Sequence, residues 1–297
     1  MAPGPDISHE TRARTLIEAL PYLQNFRGKT FLIKYGGAAM EEPELVESVL
    51  RDIVFLEAAG VNPVIVHGGG KAITRAMDAA GIQSTFIDGL RVSDTESMEL
   101  IERTLGDEIN PGIVEGIVRL GGKAVGFSGR HVLRCVKRQH TDRQTGQPVD
   151  LGWVGDVHGV ETASLVAEIQ AEFVPVISPL AQDDEGRCHN VNADTAAAEI
   201  AKALGVERLI YLSNVNGLRR DPEDERSLIS TLRVDEVEGL KAEGVIAGGM
   251  IPKVDSAVDA LASGVEKVHF LDGRIPHALL LELFTDAGIG TQITPAA

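Results

Sequence analysis

Short, continuously apolar runs alternate along the chain with longer segments of helical periodicity, and this alternation constrains the fold more than any other feature. The β-rich runs cover residues 31–34, 63–67, 123–127, 173–177, 208–212 and 267–271. The helical patterns lie near residues 44–59, 71–80, 94–119, 161–171, 193–204, 254–263 and 277–287. Because the strands are apolar throughout, helices should cover both of their faces. The sequence therefore predicts a doubly wound α/β sheet.

Two segments stand outside this alternation. Residues 130–158 are polar and rich in turn formers, which predicts a hairpin excursion at the edge of the sheet. Residues 8–25 have a helical apolar stripe made of Leu16, Ile17, Leu20 and Leu23. Pro21 should kink or end this helix. The stripe has to be buried either on its own domain or on a neighbouring subunit, and the sequence leaves both alternatives open.

Charge and composition exclude several classes of partner. The 297-residue chain is long enough for one large or two smaller domains, and its formal net charge of −16 disfavours nucleic acids and anionic membranes. Cys135 and Cys188 lack a zinc-binding spacing and are typical of a reducing compartment. No apolar run approaches the ~20 residues of a membrane span, and residues 1–6 do not resemble a signal peptide. We therefore expect a cytoplasmic protein.

Two glycine-rich turns follow successive strands. Lys34-Tyr-Gly-Gly37 ends the first strand, and His67-Gly-Gly-Gly70 leads from the second into a helix. This arrangement points backbone N–H groups at an anion. Neither turn is a Walker A loop, and a tight strand–helix connection uses glycine for geometry alone. Two such turns at neighbouring strand ends favour an anion-binding site, with His67 supporting the turn.

Two lysines accompany glycines in the same manner. Lys34 ends an apolar strand, and Lys253 follows Gly248 and Gly249 just before the helix predicted at 254–263. Lysine is almost never fully buried without a partner, so Lys34 either extends its ammonium group to solvent or binds an anion. Both alternatives also stand for Lys253.

Polar residues near two helix starts complete the candidate set. Alternation along a strand end would place Asn190, Asn192 and Asp194 on one side, although Asp194 is also a candidate N-cap. Arg91 precedes the helix predicted from residue 94, where it is either a carboxylate clamp or a surface arginine.

These groups suit phosphoryl transfer, which requires phosphate-binding donors, cations and an aligned acceptor. The sequence shows neither a serine–histidine nucleophile elbow nor clustered metal ligands. A carboxylate acceptor needs no general base, because it is already ionised near neutral pH. Positioning and charge neutralisation would then supply the catalysis.

The combined motifs resemble the amino-acid kinase family, and within it the acetylglutamate kinase branch. The matching stretches are 34–37, 66–70, 89–92, 150–156, 190–198, 212–217 and 248–253. The resemblance implies an open αβα sandwich with a mainly parallel sheet, preceded by an N-terminal helix. It also implies an oligomerisation helix at 1–27, an acetylglutamate-binding lobe at 28–190 and an ATP-binding lobe with an arginine site at 191–297.

The resemblance further implies a transfer of the ATP γ-phosphoryl group to N-acetyl-L-glutamate in the second step of arginine biosynthesis. Magnesium would be held mainly by the nucleotide phosphates. Lys34 and Lys253 would stabilise the transferring group, with Asp194 orienting them. The implied acceptor-binding residues are Gly69, Gly70, Arg91, Asn190 and Asn192. The implied nucleotide-binding residues are Gly36, Gly37, Asn214, Gly217, Gly248 and Gly249.

The N-terminal helix and the C-terminal segment resemble the arginine-inhibited branch of the family. This implies a hexamer, assembled as a trimer of dimers, and an effector site for L-arginine formed by Tyr22, His269, Glu282 and Gly288. Two alternatives remain open at the level of sequence: another amino-acid kinase, such as a carbamate kinase or a glutamate 5-kinase, or a non-catalytic arginine or nucleotide sensor with the same fold.

Overall fold

The computed structural model describes residues 8–221, 223–286 and 288–296. Residues 1–7 lie outside the described residues. They include residues 1–6, where we expect no signal peptide, and they are the first seven residues of the predicted 1–27 segment. Within the described part of the chain, no helix is both long and apolar enough to cross a membrane.

The elements alternate as the sequence predicts. The strands are β1 (Thr30–Tyr35), β2 (Asn62–His67), β3 (Phe86–Ile87), β4 (Leu90–Arg91), β5 (Ala124–Ser128), β6 (Leu133–Lys137), β7 (His140–Thr141), β8 (Pro148–Val149), β9 (Gly155–Val160), β10 (Val174–Ser178), β11 (Leu180–Gln182), β12 (Cys188–Asn190), β13 (Arg208–Ser213), β14 (Thr231–Arg233), β15 (Lys267–Asp272) and β16 (Thr291–Thr294). The α-helices are α1 (His9–Phe26), α2 (Pro43–Ala58), α3 (Gly70–Ala79), α4 (Thr95–Arg103), α5 (Asn110–Arg119), α6 (Ala163–Gln170), α7 (Ala193–Leu204), α8 (Val237–Ala242), α9 (Met250–Ala262) and α10 (Ala278–Leu283). A π-helical segment, Thr104–Ile109, joins α4 to α5.

The central sheet has eight strands in the order β14-β16-β15-β13-β1-β2-β10-β5. Neighbouring strands are parallel except for β15 and β16, which are antiparallel. β1 lies between β2 and β13, so the chain winds outward in both directions from this strand. In an open α/β sheet, ligands bind beyond the carboxyl ends of strands at such a switch point.

Helices cover both faces of the sheet. Leu32 faces a core that includes residues of α7 and α9. Its neighbours Phe31 and Ile33 face the opposite core, built with α2 and α5. All three side chains are fully buried, and complete burial of such a side chain contributes roughly 1.5–3 kcal/mol. The predicted αβα sandwich is confirmed.

The predicted helices near the cleft are present but differ in their bounds. The single pattern at 94–119 forms α4, the π-helical segment and α5 in succession. α9 begins at Met250 rather than near residue 254, so Lys253 lies in its first turn. α10 is shorter than the predicted 277–287 and ends at Leu283.

The N-terminal helix α1 does not end at Pro21, contrary to one of the outcomes predicted for that residue. It continues to Phe26 because aromatic packing anchors its last turns. The Tyr22 ring lies 6.1 Å from the Phe284 ring, and the Phe26 ring lies 5.7 Å from it. Tertiary contacts here outweigh the backbone hydrogen bond that proline cannot make.

The apolar stripe of α1 is exposed over most of its length. The exposed fractions are 73% for Leu16, 68% for Ile17 and 48% for Leu20, whereas Leu23 is half-buried. The alternative that the stripe is buried on its own domain is therefore wrong for Leu16, Ile17 and Leu20.

The polar segment at 130–158 forms the predicted hairpin. β6 and β9 pair antiparallel, and the short strands β7 and β8 form its tip. The hairpin does not extend the edge of the central sheet, as was predicted, because its strands belong to a separate four-stranded sheet in the order β12-β11-β6-β9. Its base is also hydrogen-bonded to the segment after β4, because the Ser93 N–H donates to Leu151 and the Trp153 N–H donates to Ser93.

Candidate active site

A cleft of about 250 Å³ lies beyond the carboxyl ends of β1 and β2. Its walls are contributed by the two glycine turns, by the segment around β4 and by the start of α7. Most of the sequence-predicted site residues are among those that line it: Lys34, Gly36, Gly37, Gly69, Gly70, Arg91, Asn190, Asn192 and Asp194.

Lys34 and Lys253 converge on one carboxylate although they are far apart in sequence. Lys34 Nζ lies 2.8 Å from Asp194 Oδ1, and Lys253 Nζ donates a hydrogen bond to Asp194 Oδ2. Burial by itself would raise the pKa of Asp194, but the two ammonium groups hold that pKa below its ordinary value. Lys34 ends β1, whereas Asp194 and Lys253 lie in the first turns of α7 and α9. Three separate elements therefore bring the charges together.

The second glycine turn is packed too closely for a side chain. A Cβ atom on Gly69 would lie 2.5 Å from Leu105 Cδ2 and 2.9 Å from Ile109 Cδ1, both in the π-helical segment. Gly69 is the N-cap of α3 and receives no side-chain capping bond. The N-terminus of α3, with its backbone donors, therefore faces the cleft directly.

The first glycine turn is fixed by Asn214. Gly37 has a φ of +74°, and a Cβ atom there would lie 2.4 Å from Asn214 Oδ1. The same oxygen accepts a hydrogen bond from the Ala38 N–H at 2.6 Å. Asn214, predicted to lie by the nucleotide, thus contacts the turn itself.

His67 supports the second turn, as predicted. Asn110 Nδ2 donates to His67 Nε2 at 3.2 Å, so the other ring nitrogen, Nδ1, carries the proton and donates to the Gly68 carbonyl at 2.8 Å. Burial lowers the pKa of His67 to about 4. The neutral ring therefore holds the strand end in place and adds no charge to the cleft near neutral pH.

Arg91 is a buried cation without a carboxylate partner among the described residues. Nη1 donates to Ser84 Oγ at 2.6 Å, and Nη2 donates to the Gly70 carbonyl at 2.9 Å and to Thr74 Oγ1 at 2.7 Å. The guanidinium also stacks on Phe86, 4.6 Å from the ring centre. Burial lowers its pKa. A cation held only by neutral groups suits the binding of an anion.

The asparagines line the cleft for a different reason from the predicted strand alternation. β12 ends at Asn190, and Asn192 is the N-cap of α7, accepting hydrogen bonds from the N–H groups of Asp194 and Thr195 at 2.8 and 3.2 Å. Asp194 as the N-cap was therefore wrong, because the neighbouring amide takes that position and leaves the carboxylate to the lysines. Asn190 Nδ2 donates to Ser93 Oγ at 3.2 Å.

A second cavity of about 320 Å³ lies on the other side of Asp194. Lys253 and Gly249 contribute to its wall. The hairpin contributes three basic residues that the sequence did not single out: Arg138, His140 and Arg143. In the sequence, these residues are marked only by a concentration of positive charge in an otherwise polar loop. The loop has no periodicity from which the direction of their side chains could be predicted.

The hairpin tip is fastened over this cavity through Asp88. One carboxylate oxygen accepts from the Arg143 N–H at 3.0 Å and lies 2.8 Å from His140 Nε2. The Arg143 N–H, followed by His140, holds the pKa of Asp88 below its ordinary value. Asp88 adopts a φ of +49°, which is unusual for a residue with a side chain. The tip is thus joined to the turn that leads into Arg91.

The remaining nucleotide-site candidates do not line either cavity. Gly217 packs against Thr291 in a turn with positive φ, and Gly248 lies in the turn before α9. Asn214 contacts the first glycine turn, where its Oδ1 accepts from the Ala38 N–H.

The four residues predicted to form an effector site do come together. Tyr22, His269, Glu282 and Gly288 line a separate pocket of about 210 Å³. His269 Nδ1 lies 2.7 Å from Glu282 Oε1. Burial would raise the pKa of Glu282, but His269 and two backbone N–H groups keep it below its ordinary value. The pocket also contains Arg208, which lies 2.9 Å from His269.

The described residues contain no group of three or more histidine, cysteine, aspartate or glutamate side chains that could hold a metal ion.

The fold and the cleft agree with comparisons to known proteins. The model of the amino acid kinase family matches residues 29–272. The chain therefore belongs to the amino-acid kinase family. The chain shares its fold with a solved carbamate kinase from Giardia lamblia, on which it superposes with a TM-score of 0.63 at 17% identity, covering 91% of this chain and 99% of that one.

The similarity is much greater to one branch of that family, the acetylglutamate kinases. The chain is 49% identical over 283 residues to the acetylglutamate kinase of Akkermansia muciniphila, covering 95% of both proteins. It is 47% identical over 287 residues to that of Heliobacterium modesticaldum, covering 95% of this chain and 97% of the relative. These similarities confirm the branch that the sequence motifs indicate.

A solved N-acetylglutamate synthase from Neisseria gonorrhoeae, complexed with coenzyme A and N-acetyl-glutamate, also resembles the chain. The TM-score is 0.83 at 29% identity over 96% of this chain. The chain spans 64% of the length of that synthase. A second structure of the synthase, complexed with coenzyme A and L-arginine, gives a TM-score of 0.80 at 28% identity, covering 96% of this chain and 66% of the synthase.

Proposed function

We propose that this enzyme transfers the γ-phosphoryl group of ATP to the γ-carboxylate of N-acetyl-L-glutamate, producing N-acetyl-L-glutamyl 5-phosphate in arginine biosynthesis. The observation that carries the proposal is the convergence of Lys34 and Lys253 on Asp194 beside a cleft lined with glycine. The acetylglutamate kinases at 47–49% identity support the choice of acceptor.

The reaction requires no proton transfer by the protein. A γ-carboxylate oxygen of the acceptor attacks the γ-phosphorus, and the bond from that phosphorus to the bridging oxygen of ADP breaks. The charge that spreads over the equatorial oxygens is met by the ammonium groups of Lys34 and Lys253 and by backbone N–H groups of the glycine turns. Asp194 keeps the two cations oriented because each of its carboxylate oxygens pairs with one of the two ammonium groups.

The acceptor binds on the side of the cleft nearest to α3. Arg91 holds its α-carboxylate, since this guanidinium has no acidic partner among the described residues and lines the cleft. Gly69 and Gly70 allow the acceptor close to the backbone. Asn190 and Asn192 bind its amide and carboxylate oxygens through their side-chain N–H groups.

The nucleotide binds across the same centre from the side of α9. Gly36 and Gly37 contact its terminal phosphates, Gly248 and Gly249 lie along the phosphate chain, and Asn214 and Gly217 border the nucleoside. Mg²⁺ would reach the site bound to nucleotide oxygens, and it would supply charge neutralisation at the β- and γ-phosphates. No protein carboxylate needs to be displaced for it.

This division assigns residues 28–190 to the acceptor lobe and 191–297 to the nucleotide lobe, with 1–27 as an oligomerisation segment in a cytoplasmic hexamer. The exposed apolar stripe of α1 supports burial between subunits. An Ile17→Glu variant should therefore sediment as a smaller species than the wild type in analytical ultracentrifugation. An unchanged sedimentation coefficient would remove α1 from the assembly.

L-arginine is the proposed inhibitor, bound by Tyr22, His269, Glu282 and Gly288. The convergence of these residues in one pocket supports this. A Glu282→Gln variant should lose arginine sensitivity while keeping its turnover in the absence of arginine.

The substrate assignment is tested by trapping the acyl phosphate with hydroxylamine. ATP-dependent hydroxamate formation should be at least a hundredfold faster with N-acetyl-L-glutamate than with glutamate, aspartate or carbamate. Preference for carbamate or free glutamate would point to another amino-acid kinase. If no acid gives a product, the remaining interpretation is a non-catalytic sensor with this fold.

A further inference from the structure

Arg138 follows β6 directly, where the hairpin begins to extend over the cleft. Its N–H donates to the Val154 carbonyl at 2.8 Å. Its side-chain Nη1 donates to Asp156 Oδ1 on the opposite strand, β9, at 2.7 Å. The guanidinium is thus held by β9 and the backbone by the residue just before it, which restricts where this cation can point.

Most of the hydrogen-bonding capacity of this guanidinium remains unused. Nε is buried without a hydrogen-bond partner, and among the described residues the guanidinium donates one side-chain hydrogen bond, from Nη1. An arginine carries five N–H donors in a rigid fork, and leaving a buried donor unsatisfied costs about 1–3 kcal/mol. The Arg138 side chain is therefore suited to an additional acceptor.

The cavity that Arg138 lines also contains Lys253 and Asp194. Asp194 is already shared by two lysines, so it does not neutralise a further cation. Two cations on the wall of one small cavity repel each other unless an anion lies between them. In the proposed function, Lys253 faces the phosphoryl group in transfer, which makes that group the anion available to both.

We propose that Arg138 is a catalytic residue that donates hydrogen bonds to the γ-phosphoryl group of ATP, and that Asp156 is its positioning residue. This inference rests on the proposed function. One edge of the fork stays on the carboxylate and the other binds equatorial oxygens, which a lysine could not do with the same geometry. Arg138 transfers no proton; it offsets charge while the carboxylate attacks and ADP leaves.

The adjacent residue provides a matched control. Lys137 also carries a positive charge and belongs to the same hairpin, but it pairs with Asp150 at 2.8 Å and is not among the residues lining the cavity. Replacing Lys137 with methionine removes the same charge from the hairpin without reaching the cleft. A general electrostatic effect would appear in both variants, whereas a contact with the phosphoryl group would appear only at Arg138.

The test compares Arg138→Met, Arg138→Lys and Lys137→Met in the full-length enzyme. We expect Arg138→Met to lower kcat about a hundredfold, because losing one donor to a developing charge typically has an effect of that size. The kcat of Arg138→Lys should lie between those of the wild type and Arg138→Met. The affinity of Arg138→Met for the non-hydrolysable analogue AMP-PNP should fall at least tenfold, while its affinities for ADP and acetylglutamate stay within twofold of the wild-type values. Lys137→Met should match the wild type in all of these. Asp156→Asn should lower kcat too, and should add no further loss in the Arg138→Met background.

Equal losses of AMP-PNP and ADP affinity, an unchanged kcat in a folded Arg138→Met variant, or additive effects of the Arg138 and Asp156 substitutions would overturn the inference. Thermal unfolding of each variant separates these outcomes from misfolding. If Arg138→Met is unstable, the same measurements on Arg138→Lys test the inference. Hydroxamate formation by the wild type reports on the proposed function by itself, so the two can fail separately.

Discussion

Replacing Asp194 with asparagine would remove the negative charge between two cations while keeping the shape of the side chain. Lys34 and Lys253 both lie within hydrogen-bonding distance of the carboxylate. Two unit charges about 4 Å apart repel each other by about 4 kcal/mol at an effective dielectric constant of about 20, which sets the scale of the uncompensated repulsion between the two ammonium groups. The Asp194→Asn variant should therefore be less stable by roughly that amount without nucleotide.

A bound triphosphate should offset part of this loss, because its phosphates neutralise the same two ammonium groups. Urea unfolding at pH 7, with and without saturating AMP-PNP, would measure both the loss of stability and its recovery. AMP-PNP should stabilise the variant more than it stabilises the wild type. Turnover in the hydroxamate assay should fall by about 10²–10³-fold, since neither lysine keeps its orientation.

Asp255→Asn is the matched control for this experiment. Asp255 lies on α9, the helix that carries Lys253, and also pairs with a lysine, Lys241, but at the surface, where such a pair contributes about 0–1 kcal/mol. An Asp194→Asn variant as stable as the Asp255→Asn control, with turnover within twofold of the wild type, would refute the reasoning.

Three further predictions follow from the cleft. Lys253→Met should lower kcat by about 10²–10³-fold with acetylglutamate affinity within twofold in calorimetry, and intact turnover would exclude Lys253 from the mechanism. Gly69→Ala should force the turn away from Leu105, costing about 1–3 kcal/mol in urea unfolding and lowering kcat/KM; full activity would contradict the close approach. The folded-state pKa of His67, about 4, lies below its unfolded value near 6.5, so stability is lost as pH falls through this window, by up to about 1.4 kcal/mol per pH unit. His67→Gln should show a shallower pH dependence of unfolding than the wild type; an equal slope would assign the titration elsewhere.

The sequence predicted best those features that depend on local pattern. Continuous apolar runs marked six of the eight strands of the central sheet, all except β14 and β16, because strands covered on both faces must be apolar throughout. The glycine turns after β1 and β2 came together because parallel strands place their carboxyl ends at one edge of the sheet. Lys253 was different: the sequence showed only a glycine pair and a lysine at a helix start, and the family resemblance was needed to connect it with Lys34.

Features that depend on tertiary contacts were predicted poorly. Pro21 indicated a helix end, yet aromatic packing carries α1 to Phe26. Asp194 was the candidate N-cap in the sequence, yet Asn192 takes that position and the carboxylate of Asp194 pairs with the lysines. Arg138 could not be distinguished from a solvent-exposed residue of a polar loop, because nothing local indicates which strand it packs against.

The pairing of β1 with β13 has a mechanical consequence. These strands belong to the proposed acceptor and nucleotide lobes, respectively, and they form consecutive parallel hydrogen bonds from Phe31 to Lys34. The lobes consequently share one uninterrupted sheet, with no linker between them at the level of the reacting groups. Any approach of the two substrates must come from bending and twisting of a stiff surface, so amide hydrogens in β1 should remain among the slowest to exchange through the whole catalytic cycle.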